Sequence, residues 1–249
     1  MVLVVEYHHI SEKEARWDRS REKFKADLER LYRLGFRPVT MSEYLDNNMP
    51  VAKGASPVVF TFDDANPSQF RLLKDGTIDP QCAVGIWKEF EKSHPDFPVR
   101  ASFYVLPVMW GQKAFIQQKV DLLKKWGSEL GSHTLTHPQL KKLSEDKVKE
   151  ELGGAIDMLQ KLGQESPVVI ALPYGISPKQ TDLLKKFDWK GKSYTMKGAL
   201  LVGANPAPSP EGPKLDRFRI PRIQGVDGEM GITYWINKVE KGEIKVYVK

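Results

Sequence analysis

Two adjacent carboxylates end the apolar run Val58-Val-Phe-Thr-Phe-Asp63-Asp64. Asp is a poor strand residue and neighbouring like charges repel, so strand formation does not require the pair. Acids at the C-terminal end of a buried strand are what a catalytic or metal site needs. The plainer alternative is a turn opened by Asp and continued by Ala65-Asn66-Pro67. Two of the five histidines lie four apart in Glu129-Leu-Gly-Ser-His133-Thr-Leu-Thr-His137-Pro138. On a helix they would share a face, but the zinc-protease pattern needs Glu directly after the first His, and Thr134 stands there. Gly131 before the pair and Pro138 after it argue for a strand end and a tight turn. Two neutral imidazoles with one carboxylate suit a borderline divalent cation such as zinc, with positions left open for water and substrate. A third run, Val168-Val-Ile-Ala-Leu-Pro173-Tyr174-Gly175, carries a buried strand into a Pro-aromatic-Gly turn. That turn is either a plain connection or a wall that presents a backbone N–H to a developing oxyanion.

The elements that must position these residues alternate along the chain. Short apolar runs at Val2–Tyr7, Val58–Phe62, Ala101–Leu106, Glu129–Ser132, Val168–Leu172, Leu200–Val202 and Arg219–Ile223 read as strands buried on both faces. Between them stand helix signals. Ser20 precedes a face of Phe24, Leu28 and Leu31. Thr40 and Glu43 make a capping-box pattern. Asp79-Pro80 and Ser177-Pro178 each place a cap before proline. Ser144 opens a stripe of Val148, Leu152, Ile156 and Leu159. A last helix is expected over Ile232–Glu240, before a short strand Lys245–Val248. This β-α alternation predicts an α/β fold with seven or eight strands in an open or closed barrel. No repeat or low-complexity linker divides it, so residues 1–249 read as a single domain.

Composition narrows the function classes. With 41% hydrophobic and 28% charged residues the chain is an ordinary globular protein rather than a disordered one. No apolar run approaches the roughly 20 residues of a membrane helix. The net charge of +6 comes from lysines scattered through helical segments, not from a basic stripe interleaved with aromatics, so no nucleic-acid partner is expected. The single cysteine, Cys82, excludes an internal disulfide framework and a thiolate zinc cluster, and reads as a small buried hydrophobe. Met1–Glu6 has no basic n-region and reads as a first strand. Either the protein is cytoplasmic or a leader lies outside this sequence.

Taken in order, the three motifs resemble the polysaccharide deacetylase family, also called the NodB-homology domain or carbohydrate esterase family four. Thr61-Phe62-Asp63-Asp64 resembles its first motif, Ser132-His133-Thr134-Leu135-Thr136-His137-Pro138 its second and Leu172-Pro173-Tyr174-Gly175 its third. Tyr7-His8 and Ser102-Phe103-Tyr104-Val105 are similar to further family features. The resemblance implies a distorted (β/α) barrel of about seven parallel strands with its site at the C-terminal face. It also implies metal-dependent removal of N-acetyl groups from an N-acetylglucosamine-containing polysaccharide of cell-wall, chitin-like or exopolysaccharide type. Asp63 becomes the general base and Asp64, His133 and His137 the metal ligands. The expected cation is Zn²⁺, with Co²⁺ or Ni²⁺ as substitutes. Tyr174 contributes its backbone N–H to the oxyanion.

Three features depart from the family pattern, the first being Ala65, where a Gly usually follows the acid pair. Ala171 occupies the place of an Arg that would orient the base, which leaves Arg219 or Arg222 to reach that space. No histidine follows His137 to act as acid. His8 is the replacement expected for the acid, or Asp63 returns its own proton; His9 and His94 read as surface or packing residues. The alternatives are a catalytically impaired carbohydrate-binding domain that keeps the metal site, and a structural metal protein. Trp110, Tyr174 and Trp189 are candidates to stack on sugar rings. A polymer substrate implies a secreted or cell-surface protein, and a monomer is the expected state.

Overall fold

The computed structural model describes residues Met1–Lys249. Its strands are β1 (Leu3–Tyr7), β2 (His9–Ser11), β3 (Asp18–Ser20), β4 (Phe36–Val39), β5 (Ser56–Phe62), β6 (Ser102–Val105), β7 (Glu129–Ser132), β8 (Val168–Ala171), β9 (Lys186–Trp189), β10 (Lys192–Leu200) and β11 (Ile223–Gln224). Its helices are α1 (Arg21–Arg33), α2 (Met41–Leu45), α3 (Ala83–Ser93), α4 (Ile116–Lys125), α5 (Glu145–Lys161) and α6 (Ile232–Glu240). The main sheet runs β11-β1-β5-β6-β7-β8-β10-β9, with β4 on β5 beside β6. Every pairing in it is parallel except the β9–β10 hairpin. The segment before β11 carries the sheet round. Ile220 N donates to Ala199 O at 3.0 Å and Leu201 N to Ile220 O at 2.8 Å, and three residues later Ile223 pairs with Val5 of β1. The result is a distorted (β/α) barrel, as the family resemblance implies.

The period of two along each strand sorts the side chains. Leu3, Val5 and Tyr7 of β1 and Val58, Phe60 and Phe62 of β5 face the helices. Val2, Val4, Val59, Tyr104, Val169, Ala171 and Leu200 fill the barrel interior. Continuing the interior series toward the C-terminal ends gives Glu6 and His8 on and after β1, Thr61 and Asp63 on and after β5, and His133 after β7. The interior is therefore apolar at one end and charged at the other, and the alternation that builds the core also delivers the polar residues.

Local signals act as read. Ser20 caps α1 by accepting from Lys23 N at 3.3 Å. Thr40 and Glu43 form the capping box, with Glu43 N donating to Thr40 Oγ1 at 3.2 Å and Thr40 N to Glu43 Oε2 at 2.8 Å. Five expectations are corrected, the first being the strand expected over Arg219–Ile223, which is the two-residue β11 (Ile223–Gln224). Helix α3 starts after Cys82 rather than Asp79, and the Cys82 sulfur accepts from Gly85 N. Ser177-Pro178 opens no α-helix; a single 3-10 turn follows at Thr181–Leu184, where the β9–β10 hairpin takes over. The strand expected at Leu200–Val202 is the longer Lys192–Leu200, which ends where that one was to begin. Lys245–Val248 makes only isolated backbone bonds, among them Tyr247 N to Met1 O at 2.7 Å.

Candidate active site

A cleft of about 370 Å³ opens at the C-terminal ends of the strands. Asp63, Asp64, His133, His137, His8 and Tyr174 all line it. A larger cleft of about 480 Å³ lies at the opposite end, around Gly35, Pro50 and Pro98. Its cations are engaged, Arg37 with Asp96 and Arg100 with Glu43, and the N-terminal face of such a barrel serves stability.

Asp64, His133 and His137 bring one donor atom each within 4.8 Å of one another. Asp64 Oδ1 is 3.3 Å from His133 Nε2 and 3.6 Å from His137 Nε2. His133 Nδ1 lies 2.8 Å from the Ala171 carbonyl. A carbonyl only accepts, so Nδ1 carries a ring proton; burial opposes a second proton while Asp63 and Asp64 favour it, and in the neutral ring Nε2 presents a lone pair. That buried Nε2 has no hydrogen-bond partner in the protein. A buried polar atom without a partner is costly, and a divalent cation between two imidazoles and a carboxylate satisfies it. The donor set therefore fits the metal.

The backbone is bent to make this set. Asp64 (φ +69°), Thr134 (+67°), His137 (+57°) and Tyr174 (+58°) all occupy the left-handed region, as does Ala65 (+51°) where the family usually has glycine. Non-glycine residues there cost roughly 1–3 kcal/mol each and persist only where surrounding contacts impose them. Glu151 of α5 is one such contact. Its Oε2 accepts from Leu135 N at 2.8 Å and Thr136 N at 2.9 Å, and its Oε1 from Thr136 Oγ1 at 2.6 Å. The loop between the two histidines is thus pinned to a helix.

Asp63 is 1% exposed and held from across the barrel. Arg222 Nη1 donates to its Oδ1 at 2.8 Å and Nη2 to its Oδ2 at 2.7 Å. Arg222 is itself fixed, donating from Nε to Leu201 O at 2.8 Å and from Nη1 to Thr61 Oγ1 at 3.1 Å. Of the two arginines that could replace the one absent at Ala171, Arg222 reaches the site and Arg219 is exposed. Burial alone raises the Asp63 pKa; the Arg222 guanidinium and His133 outweigh it and hold the carboxyl well below its ordinary range. Asp64 is lowered too, with burial opposing and His133 favouring the anion.

His8 is partly buried, with its ring 4.6 Å from that of Trp17. Its imidazole, a Glu6 oxygen and an Asp63 oxygen lie within 4.8 Å of one another. Burial lowers its pKa. Glu6 is 2% exposed, and burial raises it to about 7 against the pull of Arg222. His9 also lines the cleft, whereas His94 stacks on Phe90 away from it.

Among the aromatic candidates, Tyr174 alone lines the cleft, 55% exposed with its ring 4.8 Å from that of His137. Trp110 is fully buried against Phe70 and Phe103, and Trp189 packs on Tyr194. Trp17, with Arg16, takes their place on the wall. Both sit on the β2–β3 connection, which has no periodicity to flag it. Glu6 gave no signal beyond being the one charge in an apolar strand, and Glu151 looked like any solvated helix carboxylate.

Residues 51–191 match the family described as Polysaccharide deacetylase. The chain belongs to that family. Its fold is similar to that of a deacetylase from Streptococcus pyogenes solved with acetate, at a TM-score of 0.70 and 19% identity over 96% of this chain and 97% of that one. It is also similar to a polysaccharide deacetylase from Bacillus cereus, at 0.67 and 18% over 96% and 68% of the two chains. The IcaB protein of Ammonifex degensii matches at 0.63 and 15%, over 96% and 97%. An uncharacterized 30.6 kDa protein of Geobacillus stearothermophilus is 35% identical over 71 residues, a stretch spanning 27% of this chain and 27% of that protein.

Proposed function

We propose that this protein removes N-acetyl groups from a polysaccharide containing N-acetylglucosamine, using a divalent cation held by Asp64, His133 and His137. The observation that carries the reading is the pairing of two devices in one cleft: three metal donors with a bare Nε2, and beside them a buried carboxylate clamped in both oxygens by Arg222. When bound, the cation, zinc by the chemistry of the donor set, polarises the acetyl carbonyl and makes a neighbouring water more acidic.

Asp63 takes the proton of the attacking water. Its depressed pKa keeps it ionised, and the Arg222 fork fixes its orientation. The backbone N–H of Tyr174 stabilises the charge that develops on the carbonyl oxygen. His8 gives the amine nitrogen a proton as the C–N bond breaks, in the role no later histidine can fill. Acetate leaves, and the polymer keeps a free amine. Tyr174 and Trp17, both on the cleft wall, offer apolar surface to the sugar ring. A polymer of this kind places the protein at the cell surface or outside the cell, and the chain acts as a single domain.

Metal analysis combined with acetate release from chito-oligosaccharides and peptidoglycan fragments tests the reading. It expects one divalent ion per chain and acetate release that chelation abolishes. Metal and sugar binding without acetate on any N-acetylated polymer would instead identify a binding domain.

A further inference from the structure

Glu6 is a charge the fold does not need. It sits in an interior-facing position of β1 otherwise filled by Val2 and Val4. Its side chain is 0% exposed, and neither carboxylate oxygen has a hydrogen-bond partner in the protein. A carboxylate in such a place costs several kcal/mol unless something compensates it. Two cationic or protonatable groups face it: Arg222 Nε, 3.4 Å from Oε2, and His8 Nε2, 3.7 Å from Oε1.

Arg222 does not depend on Glu6 for its position. Its Nε–H goes to Leu201 O, and its two terminal nitrogens are held by Thr61 and by both oxygens of Asp63. His8 is the opposite case. Its ring lies 4.6 Å from that of Trp17, tilted by 50°, and Glu6 Oε1 stands 3.7 Å from its Nε2. Asp63 and Asp64 are the charges that act most on His8 in favour of its proton, while Arg222 and His133 oppose it. We infer that Glu6 is a positioning residue for His8: it engages Nε2, turns the ring against Trp17 and fixes which edge of the imidazole meets the leaving nitrogen. This rests on the reading of His8 as the acid. Burial brings the Glu6 carboxyl up toward the range in which an imidazole titrates, so the two groups suit the sharing of a proton.

Two substrates separate this role from its rivals. An N-acetyl amine must be protonated as it leaves, whereas p-nitrophenolate departs as a stable anion. Acetate release from penta-N-acetylchitopentaose and hydrolysis of p-nitrophenyl acetate are therefore measured on the zinc-loaded protein and on E6L, E6Q, H8A and D63N. The expected result is that E6L and H8A each lose about a hundredfold on the amide but less than about threefold on the ester, while D63N loses on both. E6Q, which keeps a polar oxygen facing His8 Nε2, recovers at least about tenfold over E6L on the amide. Arg222 keeps both Asp63 oxygens when Glu6 is replaced, so E6L leaves no unpaired buried charge and is expected to fold, and E6Q guards against its failing to. Equal losses of E6L on both substrates would mean that Glu6 acts through Arg222 and Asp63, and no loss on either that it positions nothing; both results overturn the inference. Unchanged amide hydrolysis by H8A would instead remove the acid assignment itself.

Discussion

Arg222 shows how a single residue can carry information that its own surroundings in the sequence hide. It lies in Arg217-Phe-Arg-Ile-Pro-Arg222, where three arginines look alike, and only the turn of the chain after Ile220 aims the last one at Asp63. Its removal leaves Asp63 and Glu6 as two buried carboxylates without a cation. R222M is therefore expected to lose about 3–5 kcal/mol of stability in denaturant unfolding, far more than a surface arginine. Glu6 makes a second prediction, with a definite sign. Its folded pKa, about 7, lies above the unfolded value of 4.5, so its contribution to stability is full below about pH 4.5 and is lost as pH rises through about 7. E6Q stays neutral throughout. The melting temperature of metal-free E6Q should rise relative to wild type between pH 4.5 and 7 and then level off. A gap that narrows over that window would contradict the burial assigned to Glu6. Asp63, Asp64, His133 and His137 were legible because two adjacent acids and two histidines four apart are rare combinations at strand ends. Glu6 and Trp17 were not, since one hides in an apolar strand and the other in an aperiodic loop.

At the level of elements, the metal donors depend on how loops are tied to helices. Asp64 lies two residues past β5 and His133 follows β7 directly, so strand register places them; the His137 turn has no strand beneath it and hangs from Glu151 of α5. E151A should weaken metal affinity by about 10–100-fold, as loss of an outer-shell support commonly does. Isothermal titration of the metal-free protein with Zn²⁺ reads this directly. Unchanged affinity would show that the left-handed turn at Thr134 and His137 holds itself. The strands and most helices were legible from apolar runs and caps, because parallel strands buried on both faces and capped amphipathic helices both leave periodic marks. Ser177-Pro178 misled for a physical reason. The cap and proline start a turn, but the following residues are drawn into β9, which pairs along β10, and pairing outweighs local propensity. Strands β2, β3 and β4, of three or four residues each, are too short to show a period.

For the whole molecule, the barrel closes on itself through Ile220–Gln224, and that closure brings β1, β5, β7 and β8 to one charged rim over an apolar base. A cation held by Asp64, His133 and His137 would tie the ends of β5 and β7 to the His137 turn. Saturating Zn²⁺ should raise the stability of the folded state by about 2.7 kcal/mol at a hundredfold excess over the dissociation constant, seen as a higher melting temperature that chelation reverses. The sequence could announce the α/β class and the ordered motifs, whereas the way the ring closes depends on the path of residues 201–222, which is rich in proline and glycine and carries no period. The central claim is that a metal triad and a clamped Asp63 act together to hydrolyse N-acetyl groups. Its most direct test is acetate release from N-acetylglucosamine oligomers and peptidoglycan fragments by wild type and D63N, each with its metal content measured in the same preparation. The account predicts one metal ion in both proteins, acetate release by wild type, and a fall of about 10²–10⁴-fold in D63N. D63N releasing acetate as fast as wild type, at equal metal content, would contradict it.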